Sequence, residues 1–362
     1  MKKILHVTFN MDIGGTEQVI RQIIEGSASS FSHAVFCIDG RVGDIGKALK
    51  TQGITFFKYQ RAPGFDFQLL RYLRKIIREE QFDVVHCHQY SPFSYAVMAA
   101  FGSQARVVFT EHGRFYPDSY SWKRRLLNPI LNLMTESVVA ISAATAQSLA
   151  HYEWFPRGSV AIIYNGLQYS PAAQADIDAV RARYELAGKT VLGTIARLDP
   201  IKNHGAMLDV FARVNASNPD TVLMIVGDGP ERETSQAQVV SLGIQDSVIF
   251  TGFQTDPDPY FELIDIFLLP SFSEGTSMTL LQSMAAARPS VVSDVGGNPE
   301  IVEHGETGYV FAVDDLDEFE RSIEFLLDSE HRAAMGKRAR KRYVENYTVE
   351  EMVDSYQRIY CQ

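Results

Sequence analysis

The chain has 362 residues, 46% of them apolar, enough for two hydrophobic cores, so two domains are the natural expectation. A formal net charge of −10 excludes a generally basic surface, and no nucleic-acid partner is expected. Three scattered cysteines, Cys37, Cys87 and Cys361, lack metal-type spacing and fit a reducing compartment.

The chain opens on the strand-like MKKILHVTF, which does not read as a signal peptide, and no apolar run is long enough to span a bilayer. A cytoplasmic protein is expected, with at most peripheral contact at the inner face of the membrane. Strands are expected over 4–9, 33–38, 54–58 and 84–88, with helices starting at 16 and running over 45–52 and 67–80. This alternation predicts a parallel, doubly wound, Rossmann-like sheet. Gly14 and Gly15 follow the first strand, but GGTEQV is not G-x-G-x-x-G, which disfavours an NAD-dependent oxidoreductase. The pair is either a plain turn or one that brings backbone close to a ligand.

A strand over 107–110 ends in Glu111, His112 and Gly113 at a sheet edge. There a histidine can donate a hydrogen bond or take a proton. The other eight histidines are expected to be structural, and His86 with His88, two apart on one strand, to face opposite ways and share no metal. Arg114, Phe115, Tyr116, Trp122, Lys123, Arg124 and Arg125 form an aromatic and basic run. Such a run can meet sugar rings, anionic headgroups or an acceptor pyrophosphate, and a solvated helix start explains it equally well. A helix over 122–135 and strands over 137–142 and 160–164 complete the first half, and the polar QYSPAAQADID reads as an interdomain linker.

The second half begins with a helix over 177–184 and a strand over 190–196. In ARLDPIKNHGAML, Arg197 and Lys202 bracket a turn, and Asn203 is placed to cap the next helix. Two cations at the end of a strand suit a diphosphate, although basic loop residues are commonly just solvated. Strands follow over 221–226 and 247–251, the second leading into Gly252, Phe253 and Gln254. The stretch DIFLLPSFSEGTSMTLLQSMAAARPSVVSD then reads as a strand over 266–269, a loop with Glu274, a helix over 276–287 and another strand. Gln282 comes eight positions after Glu274, so a continuous helical path would put both on one face. Free amides around Ser277, Met278 and Thr279 would open on the same mouth. That set suits a phosphorylated sugar; a capping Glu and a solvated Gln give the same spacing.

SFSEGTSMTLLQSMAAARPSVVSDVGGNPEIV resembles the signature of glycosyltransferase family 4, retaining nucleotide-sugar transferases of GT-B fold, and the likeness extends over nearly the full chain. It implies an α/β protein of two Rossmann-like, doubly wound domains facing across a cleft, with the linker acting as a hinge. The acceptor domain would span 1–168, with the C-terminal helix of 345–362 packing back on it, and the donor domain 176–344. The resemblance implies that Glu274 contacts hydroxyls of the transferred sugar, with Gly275, Thr276, Ser277, Met278 and Thr279 around the donor. The family's second Glu, which holds the ribose, is Gln282 here, able to bond a diol without charge. Arg197 and Lys202 would neutralise the leaving diphosphate, and His112 would reach the donor sugar. Gly14 and Gly15 would face the diphosphate and the acceptor, the base would lie against Phe253 and Gln254, and Glu300 would stand near the cleft. Arg114, Tyr116, Arg124 and Arg125 are candidate acceptor contacts. The implied activity is transfer of a hexose from a nucleotide sugar to a glycan or lipid-linked acceptor with retention, without metal or cofactor. A GT-B epimerase and a non-catalytic nucleotide-sugar-binding subunit are the competing readings.

Overall fold

The computed structural model describes residues 1–113, 120–156 and 158–362, so the expected contacts Arg114, Phe115 and Tyr116 lie outside the described residues. The chain forms two compact units, Met1–Gly166 with Val349–Gln362, and Leu167–Thr348.

The first unit carries strands β1 (Lys2–Thr8), β2 (Phe31–Cys37), β3 (Thr55–Lys58), β4 (Val84–His88), β5 (Arg106–Glu111), β6 (Ser137–Ala140) and β7 (Val160–Ile162). They lie in the order β3-β2-β1-β4-β5-β6-β7, and every pairing is parallel. Helices cover both faces, so the central strands are buried on both, as the apolar runs ILHV and VVHC require. Leu5, Val7, Phe36, Val85 and Phe109 pack on one side, and Ile20, Ile24, Val35 and Cys37 on the other. The C-terminal helix Val349–Cys361 belongs to this unit. It packs so closely on the helix Gly15–Ser27 that a Cβ added at Gly26 would lie 2.8 Å from Val353 Cγ2. Tyr356 and Tyr360 of that helix are fully buried, and Lys2 Nζ donates to the Tyr360 carbonyl at 2.9 Å.

The second unit carries β8 (Thr190–Ile195), β9 (Thr221–Val226), β10 (Val248–Gly252), β11 (Ile266–Leu269), β12 (Ser290–Ser293) and β13 (Gly308–Phe311). Their order is β10-β9-β8-β11-β12-β13, again with parallel pairing throughout. Two expectations change here. The segment read as a linker is helical from its middle onward, as Gln174–Arg183, since only Pro171 in it resists a helix. The helix after Glu274 is Met278–Ala285, shorter than 276–287, with Ser277 capping the Leu280 N–H and Ala287 turning left-handed at φ +58°. Glu274 therefore lies in a loop, outside the helical register of Gln282.

Candidate active site

Strand order reverses between β8 and β11 in the second unit, the place where open α/β sheets leave a crevice at the strands' carboxyl ends. The loops after these two strands carry the expected charges and are tied together, since the Phe272 N–H donates to the Ile201 carbonyl at 2.8 Å. Lys202 Nζ meets Glu274 Oε1 at 2.6 Å, and Ser271 Oγ donates to the same oxygen at 2.6 Å. The Glu274 side chain is only 8% exposed, against 24% for Lys202. Arg197 is loosely held, 71% exposed and 3.9 Å from Asp199. Asn203 stands at the start of the helix His204–Ser217, but its left-handed backbone (φ +54°) leaves the side chain without a cap bond, contrary to expectation. Asp199 instead caps the short turn Pro200–Lys202 through the Ile201 N–H at 3.3 Å.

Two glycines fix this geometry from behind. Gly296 has φ +52°, and a Cβ there would come within 1.8 Å of the Glu274 carbonyl oxygen. Gly227 has φ +141°, and its Cβ would fall 2.0 Å from the Ala196 carbonyl beside Arg197. Only a residue without Cβ allows backbone to pass so close.

Gln282 points its amide elsewhere than Glu274, donating to Asp258 Oδ1. Burial, then the neighbouring Asp256, raises the Asp258 pKa. Thr276 and Ser277 are buried, while Gly275, Met278 and Thr279 are half-buried around the helix start. Phe253 is an exposed ring just beyond β10, and Gln254 Nε2 donates to the Thr251 carbonyl at 2.9 Å. Glu300 lies in the helix Asn298–Ile301, and its carbonyl accepts from Arg342 and the Tyr347 hydroxyl, both at 3.0 Å. The partners Ser271 and Asp258 were not foreseen. Ser271 lies three residues before Glu274 and could have been suspected; Asp258 comes from a distant segment.

The first unit has its own switch point between β1 and β4. After β1, Gly14 caps the helix Gly15–Ser27 in extended conformation, and a Cβ there would meet Glu17 Oε2 at 2.4 Å. The Glu17 pKa is raised by burial and, more weakly, by Asp12. An acidic group thus lies against the turn expected to face a diphosphate.

Next to it is a histidine cluster. The expectation that His86 and His88 face opposite ways is wrong, because side chains alternate with period two and residues two apart share a face. With His6 in register beside His86, ring nitrogens of His6, His86 and His88 come within 4.8 Å of one another. That is a ligand set of a kind that holds transition metals. The nitrogens are nonetheless already engaged. His6 Nδ1 meets His88 Nε2 at 3.1 Å, and His86 bonds Tyr360 Oη at 2.7 Å and Thr110 Oγ1 at 2.8 Å. His112 joins through Nε2 to His88 Nδ1 at 2.9 Å. Burial holds the pKa of His6, His86 and His88 well below the ordinary histidine value and lowers that of His112 to about 3.

The helix Trp122–Leu133 turns Asn128 and Leu131 inward. Arg124 is committed to the fold, with Nη1 2.5 Å from Oε1 of the buried Glu153 and its guanidinium 4.5 Å over the Tyr90 ring. Arg125 lies 4.8 Å over the Trp154 ring. Outward, Trp122, Leu126, Ile130 and Leu133 are exposed, from 57% to 86%. Among the described residues, no helix is long and apolar enough to cross a membrane.

Residues 13–170 match the family described as Glycosyltransferase Family 4, and residues 176–342 match Glycosyl transferases group 1. N-acetyl-alpha-D-glucosaminyl L-malate synthase of Bacillus anthracis is 27% identical over 305 residues, 82% of this chain and 79% of that protein. The UDP-Gal:alpha-D-GlcNAc-diphosphoundecaprenol alpha-1,3-galactosyltransferase of Escherichia coli is 23% identical over 312 residues, 82% of this chain and 79% of its own. Among solved structures, HepE of Anabaena in complex with UDP and glucose superposes with a TM-score of 0.86 at 21% identity, covering 99% of both chains. With its first half matched to Glycosyltransferase Family 4, its second to Glycosyl transferases group 1, and both sheets of the GT-B type, the chain belongs to glycosyltransferase family 4.

Proposed function

We propose that the protein transfers a hexose from a nucleotide-diphosphate sugar to a glycan or lipid-linked acceptor, with retention of configuration. The observation that carries this reading is the Lys202–Glu274 pair at the reversal between β8 and β11, with the exposed cation Arg197 in the loop after β8. Arg197, Lys202 and the amides of Met278 and Thr279 would stabilise charge growing on the leaving diphosphate, a preorganised electrostatic effect. Glu274 would take hydroxyls of the transferred sugar, and Gln282, backed by Asp258, a ribose diol. Phe253 and Gln254 would flank the base, and Gly275, Thr276, Ser277 and Glu300 would line the same site. The departing phosphate would accept the acceptor's proton, and Arg197 with Lys202 would supply the charge a metal otherwise brings; we propose no metal or cofactor. Support for a nucleotide-sugar donor comes from the HepE complex with UDP and glucose, and for a lipid-linked acceptor from the name of the E. coli relative.

The outward face of the helix Trp122–Leu133 supports peripheral contact with an anionic membrane. Trp122, Leu126, Ile130 and Leu133 recur at spacings of four, four and three, which makes one stripe, and the exposed Lys123 and Arg125 flank it. Arg125 is also the better placed of the two arginines for an acceptor, because Arg124 already holds Glu153.

A panel of UDP-, GDP- and ADP-sugars, followed by thermal shift and nucleoside-diphosphate release, tests the reading. One donor should stabilise the wild type and release its diphosphate slowly, and Glu274→Ala should abolish release. Binding without release in any acceptor mixture would mark a nucleotide-sugar-binding subunit instead.

A further inference from the structure

Four histidines of the first unit form one continuous hydrogen-bonded chain. His112 Nε2 meets His88 Nδ1 at 2.9 Å, His88 Nε2 meets His6 Nδ1 at 3.1 Å, and His6 Nε2 meets His33 Nδ1 at 3.1 Å. His33 Nε2 then meets Ser27 Oγ at 2.9 Å, and the Ser27 hydroxyl donates to the Ile23 carbonyl within its own helix. The far end is different: His112 Nδ1 is enclosed and has no hydrogen-bond partner among the described residues. The sheet builds this line, because His33, His6, His88 and His112 fall on one face across β2, β1, β4 and the end of β5.

The proton positions along the chain follow from its closed end. A carbonyl only accepts, so the single Ser27 proton is spent on Ile23 and Ser27 must accept from His33 Nε2–H. These imidazoles are neutral at pH 7, since burial lowers the pKa of His33 to about 4 and of His112 to about 3, and holds His6 and His88 well below the ordinary value. A neutral ring has one N–H, so His33 Nδ1 is bare and must receive from His6 Nε2–H. The same step repeats to His88 and then to His112. All four rings carry Nε2–H, and the last bare nitrogen is His112 Nδ1. Since the line ends on a carbonyl, it cannot pass a proton on; it sets direction.

We propose that this chain, anchored at the Ile23 carbonyl, fixes the His112 tautomer so that Nδ1 takes a hydrogen bond from a sugar hydroxyl and cannot give one to a phosphate oxygen. Ser27, His33, His6 and His88 are then positioning residues for His112. The part concerning the sugar rests on the proposed transferase reading; the tautomer itself does not.

The test is nitrogen NMR on chelator-treated protein labelled with 15N-histidine at pH 7.5, with resonances assigned through single His→Gln variants. In the wild type, His6, His33, His88 and His112 should each show a protonated Nε2 and an unprotonated Nδ1; a protonated Nδ1 on any of them overturns the proposal. In Ser27→Ala, the His33 N–H loses its acceptor, either direction of the chain then leaves one enclosed N–H unpartnered, and with the anchor's preference gone His112 should show Nδ1–H alongside Nε2–H. Ser27→Thr keeps the hydroxyl and should keep the wild-type pattern. An unchanged His112 tautomer in Ser27→Ala would sink the anchoring argument. Zn²⁺ added to the wild type should leave the His6 and His88 signals in place; a shift would make them metal ligands and end the chain assignment. For the sugar, deoxyfluoro analogues of the active donor should lose affinity at one position in wild type and not in His112→Ala, because fluorine accepts but cannot donate. No such position would remove the hydroxyl contact while the tautomer result stood. Failure of every donor to bind would instead remove the transferase reading.

Discussion

Lys202 and Glu274 are each other's close charge partner at 2.6 Å, and Glu274 is nearly enclosed. Lys202→Met would leave a buried carboxylate with only the Ser271 hydroxyl opposite among the described residues. Breaking an enclosed pair costs roughly 3–5 kcal/mol, and the partial exposure of Lys202 should bring the loss below that range. Adding Glu274→Gln to Lys202→Met should restore most of the stability in urea denaturation while kcat stays at least about 100-fold down. Recovery of activity in the double variant would separate the pair from catalysis. Gly296→Ala should cost more than the roughly 1–2 kcal/mol of a left-handed backbone, because its Cβ would run into the Glu274 carbonyl, and should lower kcat too. Gly305→Ala, at φ +79° with open space around it, serves as the control that pays the backbone penalty alone. Arg197, Lys202 and Glu274 were legible as residues because their words recur at strand ends in a known order. Their geometry was not, since Lys202 and Gly296 reach Glu274 from two other loops, after β8 and β12.

Among the elements, the helix Trp122–Leu133 combines an inner face that buries Leu131 and is bonded through Asn128 and Arg124 with an outer face of exposed apolar side chains. The sequence showed the basic run but not which arginine is tied to a carboxylate, since Glu153 lies in a later segment. Leu126→Glu with Ile130→Glu should abolish sedimentation with anionic vesicles and leave the melting temperature nearly unchanged, as both side chains are exposed. Binding to the same vesicles in wild type should weaken as salt rises, through the Lys123 and Arg125 component. Equal binding to neutral vesicles would exclude that component. Strand positions and the parallel sheet could be read from apolar runs alternating with helices. The histidine line could not, because it depends on strand order: β1 must lie between β2 and β4 before His33, His6 and His88 meet.

At the scale of the molecule, buried histidines are concentrated in the first unit: His6, His33, His86, His88 and His112, against His204 in the second. Each is held neutral by burial, with its folded pKa below the ordinary value of about 6.5. Below that pH the unfolded chain takes up protons that the folded chain refuses, so this stability is complete above about 6.5 and falls as pH drops toward the folded pKa. Each group contributes a slope of up to about 1.4 kcal/mol per pH unit. Hydrogen exchange between pH 7 and 5 should therefore show the first unit opening before the second; the reverse order would mean that the histidines are not buried neutral.

The chain leaves the first unit after Gly166 and re-enters it at Val349. On the ribosome the entire second unit therefore emerges before the helix that closes the first. Until then the hydroxyl of Tyr360 is missing from His86, and Gly26 has nothing against it. Every residue of the second unit precedes that helix in the chain, and domains generally fold as units, while the first unit waits for the segment from Val349 onward.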